Sequence, residues 1–189
     1  MSTILRRALA PLLFLAVLAL PQAASAVEPV PRVEVNRYLG TWKQLAAIPQ
    51  WFDVGCLRDT TATYSLNADG TVRVANKCAG PLGTTISITG RARIADPVTN
   101  AQLQVTFLNI GGPVYMGTNY VIVGLADDYS WAVVTDPDRT SAFVLSRTAT
   151  QPQPVLDRIR GILTANGINT CRLRVTKQAG GATTSPSFC

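Results

Sequence analysis

Tyr38-Leu39-Gly40-Thr41-Trp42 opens a run of strand-forming residues that continues to about residue 48. A Gly two positions before a Trp has a physical meaning. The missing side chain lets another piece of the protein come close, and the indole fills the space beneath it. One Trp can plug the floor of a small closed sheet. A core Trp in any β-domain would explain Gly40 and Trp42 equally well, so the interpretation depends on the chain downstream.

The composition limits the chemistry that this chain can perform. Its 189 residues suffice for one ordinary domain with a hydrophobic core, and an apolar content of 47% argues against disorder. His is absent. Its absence excludes His-based acid–base catalysis, the Ser-His-Asp arrangement and imidazole ligation of a metal. We therefore expect a protein that is not an enzyme and that uses neither a metal nor a cofactor.

The first 26 residues have the pattern of a signal peptide. Arg6 and Arg7 form a charged start, residues 8–20 are apolar, and residues 24–26 are a small-residue cleavage signal. We expect cleavage there, so that the mature chain begins near Val27 and is secreted or periplasmic. No Cys follows the cleavage signal, and therefore no lipid anchor is expected. An uncleaved membrane anchor is the alternative.

Charge gives little indication of a partner. Loss of Arg6 and Arg7 lowers the formal charge from +6 by two, to +4, and the other basic residues are scattered. Because no basic run is interleaved with aromatics, nucleic acid is not an expected partner. Mild attraction to acidic head groups predicts transient contact with a membrane surface, although a solvated face explains the same charges. A monomer is expected.

Four Cys in an exported chain predict two disulfides. A turn at residues 67–70, ending in a Gly free to adopt positive φ, folds residues 61–66 back on residues 71–78. That hairpin brings Cys78 opposite about residue 59, one small loop away from Cys56. Proximity therefore favours the pairs Cys56–Cys78 and Cys171–Cys189. The alternative is Cys56–Cys189 with Cys78–Cys171.

Alternating apolar and polar residues predict strands along most of the chain. The clearest case is at residues 101–108, where Leu103, Val105 and Phe107 share one face. Eight such strands precede a helix that opens near residues 151–154 and stops at Gly167, and a short ninth strand follows at residues 171–177. Eight antiparallel strands with tight turns close naturally into an up-and-down barrel of the all-β class. An open sandwich is the competing architecture.

Neither an internal repeat nor a linker divides the chain after the signal segment. We expect one domain over residues 27–178. Residues 179–189 are rich in Gly, Ser, Thr and Pro, and they are expected to form a loose tail that Cys189 tethers.

Several segments together carry a resemblance to a known family. Residues 36–42 resemble the first signature of the lipocalin family, and residues 61–70 resemble the first hairpin of its bacterial and apolipoprotein-D-like branch. Residues 135–139 resemble the second signature, and residues 145–148 resemble the third. The resemblance covers residues 35–177. Lys43 and Pro137 depart from the branch, where aromatic residues are usual at these places.

The resemblance implies a cup-shaped barrel, or calyx, that binds and carries or stores a small hydrophobic ligand such as a fatty acid or lysophospholipid. An eight-stranded barrel independently has room for one small ligand, and such sites are concave and mostly apolar. The family pattern puts Gly40 and Trp42 at the closed floor, with Arg147 packed across the indole as a cation–π pair. Their expected role is structural.

Strand parity predicts which side chains line the cup. If Trp42 faces inward, Gln44 and Ala46 do so too, while aromatics on loops are expected to surround the mouth. The full set of expected ligand contacts is Gln44, Ala46, Trp51, Phe52, Tyr64, Leu103, Val105, Phe107, Tyr115, Tyr120, Ile122, Val133, Phe143 and Leu145. Ordinary core packing explains each apolar position as well, since the core and the pocket of such a barrel are one surface.

Three classes of function stay open at this stage. A carrier of an apolar molecule is the favoured one. A secreted interaction or inhibitor protein that acts through its rim loops is an alternative, and so is an enzyme built on the same barrel. The enzyme would have to use Asp or Tyr as acid–base groups, and no two carboxylates are aimed from one strand face.

Overall fold

The structure is a computed structural model that describes residues 26–189, so the predicted signal peptide lies outside the described residues except for Ala26. The chain forms a short helix, a nine-stranded antiparallel sheet and one long helix. In chain order these are α1 (Val35–Tyr38), β1 (Gly40–Ala47), β2 (Arg58–Leu66), β3 (Val72–Ala79), β4 (Thr85–Ile94), β5 (Gln102–Thr106), β6 (Tyr120–Leu125), β7 (Trp131–Thr135), β8 (Ala142–Ser146), α2 (Gln153–Ala165) and β9 (Arg174–Val175).

β1 closes the sheet into a barrel. It pairs with β2 through residues 40–43 and with β8 through residues 43–47, and every neighbouring pair is antiparallel. The predicted eight-stranded barrel is therefore confirmed, and it leaves no free edge among its eight strands. The ninth strand lies outside this ring and pairs with β1 beyond the point where β2 separates from it.

The topology defines two ends of the barrel. The connections β1–β2, β3–β4, β5–β6 and β7–β8 lie at one end, which we call the mouth. The opposite end carries α1, the first residues of β1 and the end of β8, and we call it the floor. Because successive strands run in opposite directions, side chains at the mouth can surround an opening, whereas those at the floor close the cup.

Buried apolar side chains form two clusters, one on each side of the barrel wall. The interior cluster is built around Trp42, Tyr64 and Ile122. The outer cluster packs Ile159 and Leu163 of α2 against β6 and β7, and both side chains are fully buried. The helical spacing of apolar residues in α2 therefore covers the outside of the wall and leaves the interior untouched.

Both disulfides follow the pairing that hairpin proximity favours. Cys56 is bonded to Cys78, with Cα atoms 5.5 Å apart, and Cys171 is bonded to Cys189, with Cα atoms 4.7 Å apart. The second bridge joins the residues just before β9 to the last residue of the chain. It thereby closes the C-terminal segment on itself.

The C-terminal tail is ordered against the barrel, contrary to the loose tail expected from its composition. Phe188 is only 3% exposed and belongs to the outer cluster. Its N–H donates to the carbonyl of Leu173 at 3.0 Å, and its own carbonyl accepts from Nε of Arg160 at 2.6 Å. One large apolar side chain near the end of the tail supplies the burial that the polar composition does not suggest.

Turns between strands are closed by aspartates. The carboxylates of Asp69, Asp96 and Asp128 each accept a backbone N–H two residues onward, at 3.0–3.1 Å. This local bond mimics a backbone turn. Asp136, in the β7–β8 connection, accepts from the N–H of Ser141 at 2.6 Å and from the hydroxyl of Thr140 at 2.7 Å.

Asp136 yields the first testable prediction. Desolvation of its carboxyl acts to raise the pKa, but the bonds from Ser141 and Thr140 outweigh it and hold the pKa below its ordinary value. We expect Asp136→Asn to lower the free energy of unfolding at pH 7 by about 1–2 kcal/mol, measured by urea denaturation. Because the folded-state pKa is depressed, this contribution exists above the unfolded pKa of about 3.9 and is lost as the pH falls below it.

The exposed Asp138 of the same turn provides the control. Asp138→Asn should leave the free energy of unfolding within about 0.5 kcal/mol of the parent. A gap between Asp136→Asn and the parent that stays constant from pH 7 to about pH 3 would contradict the assigned role of the carboxylate.

Candidate ligand-binding site

The floor of the barrel is held by Arg147 and Trp42. The guanidinium carbon of Arg147 lies 3.7 Å from the centre of the indole ring, and Trp42 is fully buried. Nη1 donates to the carbonyl of Thr41 at 2.9 Å and Nη2 to that of Leu39 at 2.8 Å. Gly40 has a φ of +91°, and a Cβ there would stand 3.4 Å from Nη1 of Arg147. Glycine is therefore favoured at position 40 by its positive φ, whereas a Cβ there would make only an ordinary contact with the arginine.

The same interactions close the last turn of α1. Nη2 of Arg147 also donates to the carbonyls of Arg37 and Tyr38, and Nε1 of Trp42 donates to the carbonyl of Tyr38 at 2.8 Å. These carbonyls have no partner inside a helix of only four residues. The expected placement of Gly40, Trp42 and Arg147 at the floor agrees with this geometry. Burial lowers the pKa of Arg147, and the nearby Tyr38 and Tyr64 oppose that shift.

Half of the expected lining lies in the interior cluster. Cross-strand pairs establish the orientation, because partners directly opposite each other in a sheet share a face. Leu103 is opposite Tyr120, and Val134 is opposite Phe143. The expected contacts found in or packed against the interior cluster are Tyr64, Leu103, Val105, Tyr120, Ile122, Phe143 and Leu145.

Phe107 also lies on the interior side, near the mouth. Gly90 is opposite Val74, an interior residue, and a Cβ on Gly90 would fall 2.6 Å from Cδ1 of the Phe107 ring. The ring therefore occupies the space that a side chain at position 90 would fill. It remains 41% exposed, which sets it at the boundary between the cup and solvent.

Ala46 does not face inward as expected. The register of β1 against β8 shifts between Gln44 and Ala46, so that Gln44 is opposite the interior Leu145 while Ala46 is opposite Val144 of the outer cluster. This β-bulge reverses the parity of the strand, and Ala47, opposite Phe143, takes the inward position. Simple alternation from Trp42 cannot anticipate such a reversal.

Val133 faces outward, whereas it was expected to line the cup. It packs in the outer cluster with α2, and the interior positions of β7 belong to Ala132 and Val134. Every residue of β7 is buried, because the cup covers one face and α2 covers the other. The apolar run therefore contains no alternation from which a direction could be inferred.

Tyr115 lies outside the cup, in contrast to its expected place at the mouth. The guanidinium carbon of Arg93 sits 4.4 Å from the centre of its ring, and Nε of Arg93 donates to the side chain of Gln104 at 2.7 Å. Arg93 and Gln104 are opposite each other on the outer face of β4 and β5. Tyr115 is therefore bound to the wall from outside.

Trp51 and Phe52 lie at the mouth, as expected, on a single helical turn in the β1–β2 connection. They contact each other edge to face, with ring centres 5.6 Å apart, and Trp51 is 84% exposed. The adjacent turn is stabilised by Asp53, which accepts from the N–H of Gln50 at 2.9 Å. Burial raises the pKa of Asp53 against the lowering effect of that bond.

Two cavities flank the middle of the barrel. One of ≈ 30 Å³ lies toward the floor and is lined by Tyr38, Tyr64 and Tyr120 together with apolar side chains of β3 to β6. The other, of ≈ 140 Å³, lies at the mouth between β1, the β1–β2 connection and residues 174–177. Gln44 lines the second cavity, where its Nε2 donates to Oγ1 of Thr176 at 2.9 Å.

Several lining residues were absent from the sequence-based set. Tyr38 lines the inner cavity from α1, whereas the sequence pattern places it at the start of the first strand. Val72, Val74 and Ala92 also line that cavity. The alternation of Val72 and Val74 with Arg73 could have identified the two valines as residues of one face. No sequence pattern predicts that Arg174 lies at the mouth, because its position depends on how β9 joins β1.

Neither a metal centre nor a spanning helix is found in the described range. Within residues 26–189 there is no cluster of three or more Asp, Glu or Cys side chains arranged to hold a metal ion. In the same part of the chain, no helix has the length and apolar character needed to cross a membrane.

Comparisons with known proteins agree with this geometry. A family model described as a lipocalin-like domain matches residues 33–178. The chain is 34% identical to the outer membrane lipoprotein Blc of Escherichia coli K12 over 161 residues, which is 85% of this chain and 88% of that protein. It is 30% identical to apolipoprotein D of Mus musculus, covering 77% of each chain.

Solved structures show the same fold at low identity. Insecticyanin from the tobacco hornworm Manduca sexta aligns with a TM-score of 0.65 at 17% identity, covering 85% of this chain and 88% of that one. Apocrustacyanin C2 aligns with a TM-score of 0.58 at 16% identity, covering 77% and 79%.

The floor interaction yields the second prediction. Arg147→Lys keeps the charge but removes most of the bonds to the α1 carbonyls and the flat stacking on Trp42. We expect the free energy of unfolding to fall by about 2–4 kcal/mol in urea denaturation.

The matched control is Arg158, whose guanidinium carbon lies 5.5 Å from the ring centre of Trp131. The side chain of Arg158 makes no hydrogen bond within residues 26–189. Arg158→Lys should cost no more than about 0.5 kcal/mol. Equal losses for the two substitutions would refute the special role of the carbonyl contacts.

Proposed function

The chain belongs to the lipocalin family, and from that premise we propose that it binds a small hydrophobic ligand, of the fatty acid or lysophospholipid kind, inside its barrel. The observation that carries the proposal is the closed barrel with an apolar cluster in its interior, whose inward-facing Phe107 stays 41% exposed near the mouth. A wall of this kind favours an apolar molecule because burial contributes about 25 cal/mol per Å² before the costs of ordering.

The ligand enters past the mouth and displaces interior side chains as it descends. The inner cavity of ≈ 30 Å³ has the volume of only one or two water molecules, so a chain of many carbons needs more space than the empty barrel offers. Phe107 is suited to move, since its ring is 41% exposed and rests on a glycine. We infer that Phe107 swings outward and that an acyl-like chain lies between Val105, Tyr120 and Phe143.

A polar head group stays at the mouth in this account. The outer cavity is lined by Arg58, Arg174 and Lys177, and no ion pair within residues 26–189 involves Arg174 or Lys177. Arg58 is paired with Asp59. Asp53 also lines this cavity, so a carboxylate or phosphate would meet two cations without an ion-pair partner beside one carboxyl group. The same charge deeper in the cup would be unpaired and costly.

The mouth also supports transient contact with a membrane surface. We call six of the exposed apolar side chains of its loops the apolar rim, namely Trp51, Phe52, Val54, Leu82, Ile110 and Met116. An apolar rim beside Arg174 and Lys177 is suited to the boundary of an anionic lipid layer, where a lipid ligand would be collected or delivered. We propose an exported monomer, secreted or periplasmic, that acts as a carrier and performs no chemistry.

The apolar rim also favours the second candidate, an interaction protein that binds a partner protein through its loops. The two candidates make different demands on the interior. A carrier loses function when the cup is altered below the rim, whereas an interaction protein does not.

Phe107 provides the third prediction and separates these candidates. Phe107→Asp places a charge in the path of the chain, and we expect it to weaken binding of a fluorescent fatty acid at least tenfold. The parent should bind that probe and release it when unlabelled lipid is added. Circular dichroism should show that the variant is folded, since position 107 is partly exposed.

Val98→Asp is the matched control, because Val98 is an exposed apolar residue in the β4–β5 connection at the floor end. It should bind the probe as the parent does. Unchanged binding by Phe107→Asp would show that Phe107 does not line the path. Failure of the folded parent to bind any of a broad panel of apolar ligands would exclude the carrier and leave the interaction protein.

A further inference from the structure

Three tyrosine hydroxyls meet inside the apolar cup. The hydroxyl of Tyr120 lies 2.9 Å from that of Tyr38 and 3.0 Å from that of Tyr64. Tyr38 comes from α1, Tyr64 from β2 and Tyr120 from β6, so three separate elements aim their polar ends at one point. We call these three residues the tyrosine cluster.

The cluster has one more donor than it has internal bonds. Each phenol carries a single proton, which gives three donors, and the two contacts use two of them. Within residues 26–189 the three hydroxyls make no other hydrogen bond. Whichever way the protons are arranged, one O–H in the cluster therefore has no oxygen acceptor, and a buried polar group normally has one.

The surroundings keep this donor available. The three side chains line the ≈ 30 Å³ inner cavity, where the other lining groups are apolar except for Asn100, whose Nδ2 is bonded to the carbonyl of Val33 at 3.1 Å. No protein acceptor in the described residues reaches this donor, and the cavity has the volume to take an acceptor oxygen, whether from a water molecule or from a ligand. A hydrocarbon end that filled the cavity would exclude the water and leave the donor unpaired.

The cluster is also electrically neutral. Burial raises the pKa of Tyr64 to about 12 and that of Tyr38 and Tyr120 well above 10.0, so all three keep their protons at neutral pH. Arg147, the cation whose charge acts on Tyr38 and Tyr64, is already bound to the indole of Trp42 and to backbone carbonyls. A carboxylate would therefore meet donors but no free cation here, which favours an uncharged acceptor.

We propose that the tyrosine cluster binds an uncharged acceptor oxygen at the buried end of the ligand. The ligand class is then an apolar molecule that carries a carbonyl or ether oxygen at the end that enters the barrel first. This inference rests on the proposed carrier function. It adds that the interior selects by chemistry as well as by apolar surface, because a hydrocarbon end would leave the spare donor unpaired.

Two competitors that differ only at the buried end test the proposal. One is hexadecanoic acid, and the other is the same acid with a keto group on the carbon next to its terminal methyl. Each displaces a fluorescent fatty acid from the full mature chain. We expect the keto acid to bind about tenfold more tightly than the plain acid, the difference that one satisfied buried donor produces.

The variant that removes the cluster is Tyr38→Phe/Tyr64→Phe/Tyr120→Phe. Replacing all partners of a buried network by apolar groups of the same shape leaves stability nearly unchanged, so this variant is expected to fold. In it the preference for the keto acid should vanish. The control, Tyr115→Phe, removes a buried hydroxyl from the outer face and should keep the preference.

A spectroscopic measurement on the parent protein provides a second test that needs no variant. The infrared carbonyl band of the bound keto acid, isotopically labelled at the keto carbon, should lie at lower frequency than in a hydrocarbon solvent because the oxygen accepts a hydrogen bond. A band at the hydrocarbon frequency would overturn the proposal. Equal affinity of the two acids for the parent would overturn it as well, while leaving the carrier function intact. Binding of neither acid would overturn the carrier function and this inference together.

Discussion

The contact between Arg147 and Trp42 is the interaction on which the rest of this structure depends. An indole at the start of β1 fills the base of the barrel, and the guanidinium at the end of β8 covers it and holds the free carbonyls of α1. Trp42 lies in β1 and Arg147 directly follows β8, so their contact also joins the first and last strands of the ring. The floor is therefore closed by one buried indole and the arginine bonded across it, and the side chains that the proposed ligand displaces lie above it.

Some elements of the fold could be predicted from the sequence, and others could not because they depend on contacts with distant parts of the chain. Periodicity was enough for β5, where Leu103 and Val105 face inward as expected, and for α2, whose apolar stripe covers the outer wall. It was not enough where the backbone changes register or where both faces are buried. A bulge turns Ala46 outward, and Val133 lies in a strand that has no polar face from which to infer direction.

The interior residues on which the proposed specificity rests were the hardest to infer. Tyr64 and Tyr120 were expected to line the cup, and nothing in their spacing indicates that their hydroxyls converge with that of Tyr38. Such a meeting requires the barrel to close and α1 to sit at its base. Similarly, Tyr115 was expected at the mouth from its place in a long connection, but its ring stacks with Arg93 on the outside. Loop residues are positioned by contacts that are distant in sequence.

Two features of the cup act in sequence in this account. The apolar rim and the unpaired cations of the outer cavity receive a molecule with an apolar body and a polar head. The interior then binds the apolar body, and the tyrosine cluster favours a buried end that carries an acceptor oxygen. Selectivity arises because an unsatisfied donor penalises the wrong ligand more than a small difference in apolar area does.

The central claim is that the barrel holds a small apolar molecule, and native mass spectrometry of the protein purified from its own host tests it most directly. The account predicts a species heavier than the mature chain by the mass of one small molecule, which is released on collisional activation and extracts into organic solvent. Protein that is folded, with both disulfides intact, and that carries no such mass in any preparation, while a second protein remains bound to it, would contradict the claim.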